Sequence, residues 1–356
     1  MQARRPSVPL ANNNAIMCDS SAELPVSLKD VQEAAARVAP WVHTTPVLTS
    51  STLNELSGRN LHFKAEIFQR GGSFKIRGAC NSVFALPEEA AARGVVAHSS
   101  GNHAAAVALA AKLRGIPAHV VVPSDTPAIK QAAILTYGVE PILCEPTMEA
   151  REATCAAVQQ QTGATFVPPF NSVLTIAGQG TIGLEFLQQV PELEAIIVPV
   201  SGGGMISGIA VAAKGLKPSI KIIAAEPSGR NDAADVAACK AAGQLVQLPK
   251  PQTICDGLQA RLGSLTWPIV QRLVDDVVTV SEEEVVAAMQ LVLERMKVVV
   301  EPSGAAGVAA ALSNQLRERH PGLRHVGVIL CGGNVDFCSR TPDFWQRWLQ
   351  PSPAAS

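Results

Sequence analysis

Short β-branched runs alternate with alanine-rich helical stretches along nearly the whole chain, and this alternation restricts the fold more than any other feature. The strand candidates are residues 94–98, 119–122, 195–200, 220–225, 276–280 and 325–330. Helical stretches such as 28–38, 104–114, 205–214 and 282–296 lie between or before several of them. Ser281 with Glu284 three residues later forms a capping box for the 282–296 helix. Val285, Val286, Met289, Val292, Leu293 and Met296 then mark its buried face. Strand alternating with helix predicts an α/β protein in which mainly parallel sheets are covered by helices on both faces. The 356 residues exceed what one core accommodates, since single cores stop growing at about 250–300 residues. Two lobes are therefore expected. No repeat or low-complexity linker separates them, so one is expected to be inserted in the other.

Composition removes several classes of function. Only 17% of residues are charged and the net charge is −1, which gives no field to attract nucleic acid or an anionic membrane. No apolar run reaches the ~20 residues that span a bilayer. The eight cysteines are scattered without CxxC pairs, as reduced thiols of a cytoplasmic protein would be. Residues 1–23 lack apolar periodicity and contain Asn12-Asn13-Asn14, the pattern of a disordered tail. Arg4 and Arg5, with no acidic residue before Asp19, also resemble the start of an organellar transit peptide. Residues 346–356 read as a frayed end.

Three turns carry the candidate chemistry, each after a strand candidate. They are Ser99-Ser100-Gly101-Asn102-His103, Ser201-Gly202-Gly203-Gly204-Met205 and Cys331-Gly332-Gly333-Asn334. Ligands of open parallel sheets bind beyond the carboxyl ends of strands, so the three are placed for one shared site. The glycine triplet lets backbone N–H groups approach an anion at a helix N-terminus, and a phosphate is its natural guest. The first turn suits a smaller anion such as a carboxylate, with Asn102 free for a second polar group. Cys331 could face a ring nitrogen without protonating it. Each turn alone is more often structural; their agreement shifts the balance. In Ser73-Phe74-Lys75-Ile76-Arg77-Gly78 the lysine sits among residues unlike a solvated face. Withdrawal from water lowers an ammonium pKa and leaves a neutral amine able to condense with an aldehyde.

Gly178-Gln179-Gly180-Thr181-Ile182-Gly183 matches the dinucleotide fingerprint G-x-G-x-x-G, which would make the chain an NAD-dependent oxidoreductase. Its context argues otherwise. The preceding Phe166-Val167-Pro168-Pro169-Phe170-Asn171 is a poor strand, and about 20 residues on there is an apolar run in place of an acidic partner. These glycines are expected to serve close backbone packing.

With Lys75 and the turns in place, the chain resembles the fold-type-II (tryptophan synthase β-like) pyridoxal-phosphate enzymes. Within that fold it resembles most the serine racemases, particularly those of plants, with the serine/threonine dehydratases close behind. Further matching segments are Thr44-Thr45-Pro46-Val47-Leu48, Ala177-Gly178-Gln179-Gly180-Thr181, Glu226-Pro227, Asp256-Gly257-Leu258 and Glu301-Pro302-Ser303-Gly304. The resemblance implies that Lys75 holds pyridoxal phosphate covalently and serves as a base on one face of the substrate Cα. It implies that Phe74 packs near the ring, that Ser201, Gly202, Gly203, Gly204 and Met205 cradle the phosphate, that Asn102 contacts the ring hydroxyl, and that Cys331 meets the ring nitrogen. Serine is frequent in the family at the Cys331 position.

Ser99, Ser100, Asn102 and His103 are implied to hold the substrate carboxylate, with Arg151 assisting on closure. Ser100 has two readings. As a second base opposite Lys75 it makes a serine racemase, interconverting L- and D-serine with dehydration to pyruvate and ammonia alongside. As a carboxylate binder only, it makes a threonine/serine or hydroxyaspartate dehydratase. Glu226, the Arg230 carbonyl and Asp232 match a site for Mg²⁺ or Ca²⁺. Lys130 and Tyr137 match parts of an ATP site, but Ala105 replaces a glutamine expected there, which puts nucleotide binding in doubt. Ala260, beside Arg261, stands where some racemases carry serine. The resemblance also implies a homodimer. It further implies a large cofactor-binding lobe of residues 24–89 and 173–345, with a small mobile lobe of residues 90–172 closing over the substrate.

Overall fold

The computed structural model describes residues 23–336 except 100 and 127. Both tails, and Ser100 among the expected catalytic residues, lie outside that set. The first part of the chain runs α1 (Leu28–Val38), β1 (Val47–Leu48), α2 (Ser51–Ser57), β2 (Asn60–Ala65), α3 (Lys75–Phe84) and α4 (Glu88–Ala92). There follow β3 (Val95–His98), α5 (Asn102–Arg114), β4 (Ala118–Pro123), α6 (Ala128–Leu135), β5 (Pro141–Cys144), α7 (Met148–Thr162) and β6 (Thr165–Phe166). The next elements are α8 (Val173–Gln189), β7 (Ala195–Pro199), α9 (Gly204–Leu216), β8 (Lys221–Pro227), α10 (Asp235–Ala242) and α11 (Thr266–Leu273). Last come β9 (Asp276–Val280), α12 (Glu282–Leu291), α13 (Pro302–Leu312), α14 (Asn314–Arg319) and β10 (His325–Leu330).

The strands form two sheets, one of six strands in the order β1-β2-β10-β7-β8-β9 and one of four in the order β5-β4-β3-β6. Among the described strand pairs only β1 against β2 is antiparallel. The four-stranded sheet is built from consecutive strands, while the six-stranded sheet takes strands from before and after them. Successive residues of a strand face opposite sides, and β7 shows the result. Ala195 and Ile197 pack with Phe63, Val328 and Ala309, whereas Ile196 and Val198 pack with Phe186, Ile206 and Val270. Strands buried on both faces must read as unbroken apolar runs, which is why they are visible in the sequence.

The capping box at Ser281 and Glu284 is present. Leu293, expected on the buried face of that helix, is instead 51% exposed. The helix widens to a π turn over Val292–Met296 and stops at Lys297, which has a left-handed φ of 60°. The wider turn breaks the 3.6-residue spacing that would have carried Leu293 inward.

Candidate active site

Lys75 opens α3, and the segment before it is stitched to the turn after β10. Ser73 bridges to Gly332, and the Phe74 amide donates to the Cys331 carbonyl at 3.0 Å. Gly72 has a φ of +71°, and a Cβ there would fall 2.4 Å from Asn334 Oδ1, so glycine is required. Lys75 is partly covered; its Nζ donates to the Pro169 carbonyl at 3.2 Å and lies 4.9 Å from the centre of the Phe74 ring. Burial lowers its pKa from 10.5 to about 8, against the opposing pull of Cys331 and Glu301. A substantial fraction of such an amine is neutral at mildly alkaline pH.

The glycine turn follows β7 and opens α9. Gly203 has a φ of +87°, which an L side chain rarely adopts. A Cβ on Gly202 would lie 2.5 Å from the Phe170 ring, and one on Gly204 2.8 Å from Phe170 Cβ. Phe170, one residue beyond Lys75's acceptor, therefore closes one side of a backbone cradle at the N-terminus of a 13-residue helix. Ser201 Oγ donates to the Ala260 carbonyl and accepts from the Ala260 amide at 3.0 Å, which fixes the turn's rim. Met205 is buried in the core behind it. Cys331 is also buried, and its thiol pKa is raised far above 9 by burial first and then by Glu301, so it stays neutral.

The turn after β3 supplies the opposite wall. Gly101 donates its amide to Ser99 Oγ at 3.3 Å, and a Cβ on Gly101 would meet nothing within 4 Å, so space is open in front of it. Asn102 Nδ2 donates to Glu301 Oε1 at 2.9 Å, and its Oδ1 accepts from Asn334 Nδ2 at 2.9 Å. His103 is buried with its pKa pushed down to about 3, chiefly by burial. The neutral ring donates from Nε2 to the Val167 carbonyl at 2.8 Å, and Nδ1 has no hydrogen-bond partner among the described residues.

Glu301 is a functional group to which the sequence alone assigns no role. It sits at the N-cap position of α13 without a side-chain capping bond and is 5% exposed. Its pKa rises from 4.5 to about 7, mainly through burial and then Asp256, against the Asn102 hydrogen bond. The only local signal is an acidic residue between Val298-Val299-Val300 and Pro302. Its meeting with Asn102, 199 positions away, is a product of the fold.

Arg151 lies on α7 beside His98 and Cys144, with its Nε buried and unpartnered among the described residues. Glu226 is the penultimate residue of β8 and is buried, with both oxygens accepting amides of α10, from Val236 at 2.8 Å and Ala237 at 2.9 Å. Burial, with Asp235 adding to it, raises its pKa to about 8. Arg230 and Asp232 lie in the turn before α10, where Asp232 has a left-handed φ of 48°. Lys130 on α6 forms an ion pair with Asp256, and the Tyr137 hydroxyl lies 3.7 Å from the Cβ position of Gly71.

The Gly178–Gly183 motif lies inside α8, not at a strand-to-helix turn. A Cβ on Gly178 would lie 2.7 Å from Gly78 Cα of α3, and one on Gly180 2.8 Å from the Gly208 carbonyl of α9. Its glycines let three helices touch backbone to backbone, and no dinucleotide turn exists there.

A partly buried amine of lowered pKa, an anion cradle and a neutral group at a third strand end form an arrangement that a phosphate-bearing aldehyde cofactor would fit. The chain belongs to the pyridoxal-phosphate-dependent enzyme family, whose model matches residues 38–332. Within the family it is 54% identical over 317 residues to a serine racemase of Arabidopsis thaliana, covering 88% of this chain and 95% of that one. The structure of maize serine racemase superposes with a TM-score of 0.87 at 51% identity, over 90% of this chain and 98% of that chain. The T.th. threonine deaminase superposes with a TM-score of 0.81 at 41% identity, over 87% and 99% of the two chains. Pyridoxal phosphate suits the residues present: the Gly202–Gly204 cradle admits no side chain, and Cys331 cannot protonate a ring nitrogen.

Proposed function

We propose that the protein is a pyridoxal-phosphate-dependent serine racemase that interconverts L- and D-serine, with elimination to pyruvate and ammonia as a side reaction. Identity above one half with a serine racemase over nearly the full length carries this reading. Lys75 would hold the cofactor, with Phe74 against the ring and Ser201, Gly202, Gly203, Gly204 and Met205 around the phosphate. Asn102 would meet the ring hydroxyl, oriented by Glu301 and Asn334, and Cys331 the ring nitrogen. When bound, the cofactor supplies the electron sink that acidifies the substrate Cα–H.

The chain's own residues choose between racemisation and elimination. Amides and hydroxyls of Ser99, Ser100, Asn102 and His103 would orient the substrate carboxylate, His103 through its main chain because its ring is held by Val167. Arg151, whose Nε has no partner among the described residues, would add a cation as residues 90–172 close over residues 24–89 and 173–345. Lys75 Nζ would take the Cα proton on one face. Ser100 Oγ would deliver a proton on the other, inverting the centre. If the β-hydroxyl departs instead, water is lost and then regained on hydrolysis, giving pyruvate and ammonia.

Purified enzyme with L-serine, pyridoxal phosphate and Mg²⁺ should yield D-serine on chiral chromatography together with pyruvate. Lys75→Ala should abolish both products. Ser100→Ala should suppress D-serine formation, and attack on D-serine, far more than elimination from L-serine. Pyruvate without D-serine from the wild type would make the protein a dehydratase, the reading favoured by its likeness to threonine deaminase.

The proposal extends to a Mg²⁺ or Ca²⁺ ion at Glu226, the Arg230 carbonyl and Asp232. Two buried neighbouring carboxylates, Glu226 and Asp235, gain from a nearby dication, and oxygen ligands suit a hard ion. Chelator dialysis should lower activity and Mg²⁺ should restore it; indifference to both would remove the ion. ATP stays outside the proposal, because Lys130 already has Asp256 as counterion and Ala105 replaces the expected glutamine. A homodimer is proposed by similarity, checked by the mass in light scattering. A reducing, cytoplasmic setting accords with the six free cysteines among the described residues. No described helix is long and apolar enough to cross a membrane.

A further inference from the structure

Three side chains that the reaction does not use meet at the amino-terminal edge of the six-stranded sheet, opposite the strand ends that carry the active site. His62 is the third residue of β2, and His325 begins the parallel neighbour β10 in register with Asn60. Side chains alternate along a strand, so His325, Asn60 and His62 share a face. It is the face covered by α8: Lys64, next along β2, bonds Gln189 at 2.7 Å. The loop leaving α8 then brings Glu192 to the two imidazoles. Glu194 pins that loop to β10. Its carboxylate accepts the amides of Arg324 at 2.5 Å and His325 at 2.9 Å, and its own amide donates to the His325 carbonyl at 2.9 Å.

His62 Nε2 lies 3.4 Å from His325 Nδ1, and with a Glu192 oxygen the three donor atoms fall within 4.8 Å of one another. That nitrogen separation is longer than the ~2.9–3.0 Å typical of an N–H donor contact. It matches the roughly 3.3–3.4 Å expected for two imidazoles on a tetrahedral zinc at about 2.0–2.1 Å each. The rings stand 24° from parallel, so aiming both lone pairs at one ion requires a turn about a terminal torsion that is broad in histidine.

We propose that His62, Glu192 and His325 bind a borderline-soft divalent ion, Zn²⁺ first, with solvent completing the coordination. Two imidazoles and one carboxylate suit zinc, whereas Mg²⁺ and Ca²⁺ take oxygen ligands. The ligands come from three segments remote in sequence. The ion therefore clips the start of β2, the α8–β7 loop and the start of β10 together, and stabilises the fold by mass action.

The test is a Zn²⁺ titration of chelator-stripped holoenzyme in saturating Mg²⁺, read by calorimetry and thermal unfolding. One equivalent should bind and raise the melting temperature. His62→Ala and His325→Ala should each weaken that equivalent on the order of 100-fold or more, beyond the ~10–100-fold typical of an outer-shell change, and remove the thermal shift. Melting of each variant without metal checks that it folds, and Glu192→Gln, an exposed change, tests the site without touching a strand. Co²⁺ in place of Zn²⁺ should give the visible bands of a four-coordinate nitrogen–oxygen site. No tight equivalent in the wild type, or equal binding and thermal shift in the histidine variants, would overturn the proposal.

Discussion

Glu301 shows how much one buried carboxyl can govern in this site. It orients Asn102, pulls against the lowering of the Lys75 pKa, and is itself held at about 7 by burial. The consequence for stability has a definite sign. Between 4.5 and about 7 the folded apoprotein binds more protons at this group than the unfolded chain does. Stability from Glu301 is therefore fully present below the lower value and falls as pH rises through the interval, by at most about 3 kcal/mol. Glu301→Gln should remove this slope, so urea unfolding of apoprotein should show the variant gaining on the wild type from about pH 4.5 to pH 7. Parallel stability curves would mean that the carboxyl is already ionised in the acid range. Lys75 and Cys331 drew attention in the sequence through their immediate neighbours, the apolar Phe74 and Ile76 and the Gly332-Gly333 turn, although burial and Glu301 set their pKa values. Glu301 did not, since its role depends on groups that folding brings to it.

At the scale of elements, the contact between α3 and α8 sets the position of Lys75. Gly178 meets Gly78 Cα, the Arg77 carbonyl and Asn81 Cβ, mostly atoms that cannot rotate aside. Gly178→Ala should force the helices apart at a cost of about 1–3 kcal/mol, and activity should fall because α3 carries Lys75 at its first turn. Gly322→Ala is the control: a Cβ there meets nothing within 4 Å, so its urea midpoint should stay within about ±0.5 kcal/mol of wild type. Equal effects at both sites would remove the close helix contact from the account. The G-x-G-x-x-G spacing of α8 illustrates a limit of motif reading. The same glycines serve a phosphate turn or a helix crossing; the proline-rich run before them and the missing acidic partner already favoured packing, and their place inside α8 bears it out.

For the molecule as a whole, a buried ion network joins the parts around the site. Arg77 binds Glu66 through Nε at 2.8 Å and Nη2 at 2.7 Å, and Glu185 at 3.1 Å. Lys64 reaches the same Glu185 and the Thr45 carbonyl, while Thr45 Oγ1 donates to Glu66 at 2.6 Å. Two cations and two carboxylates thus tie β2, α3, α8 and the chain before β1. Arg77→Met leaves Glu66, itself fully buried, without its cation and should cost on the order of 3–5 kcal/mol in urea unfolding. Arg77→Lys should lose less, because it keeps the charge but cannot fork between carboxylates. A loss below about 1 kcal/mol for Arg77→Met would assign the network no more weight than a surface pair.

By itself the sequence determined the parallel α/β class, the strands 276–280 and 325–330, the cap at Ser281, the three strand-end turns and a lysine at position 75 withdrawn from water. Each rests on local periodicity or on a residue and its immediate neighbours. Tertiary structure alone decided that β2, despite carrying Asn60, His62 and Lys64, lies within the six-stranded sheet. It also decided that Glu301 meets Asn102 and that His62, Glu192 and His325 converge. The reason is common to all three. A polar side chain's partner can lie hundreds of residues away, and only the closed fold brings the two within a hydrogen bond or one ion of each other.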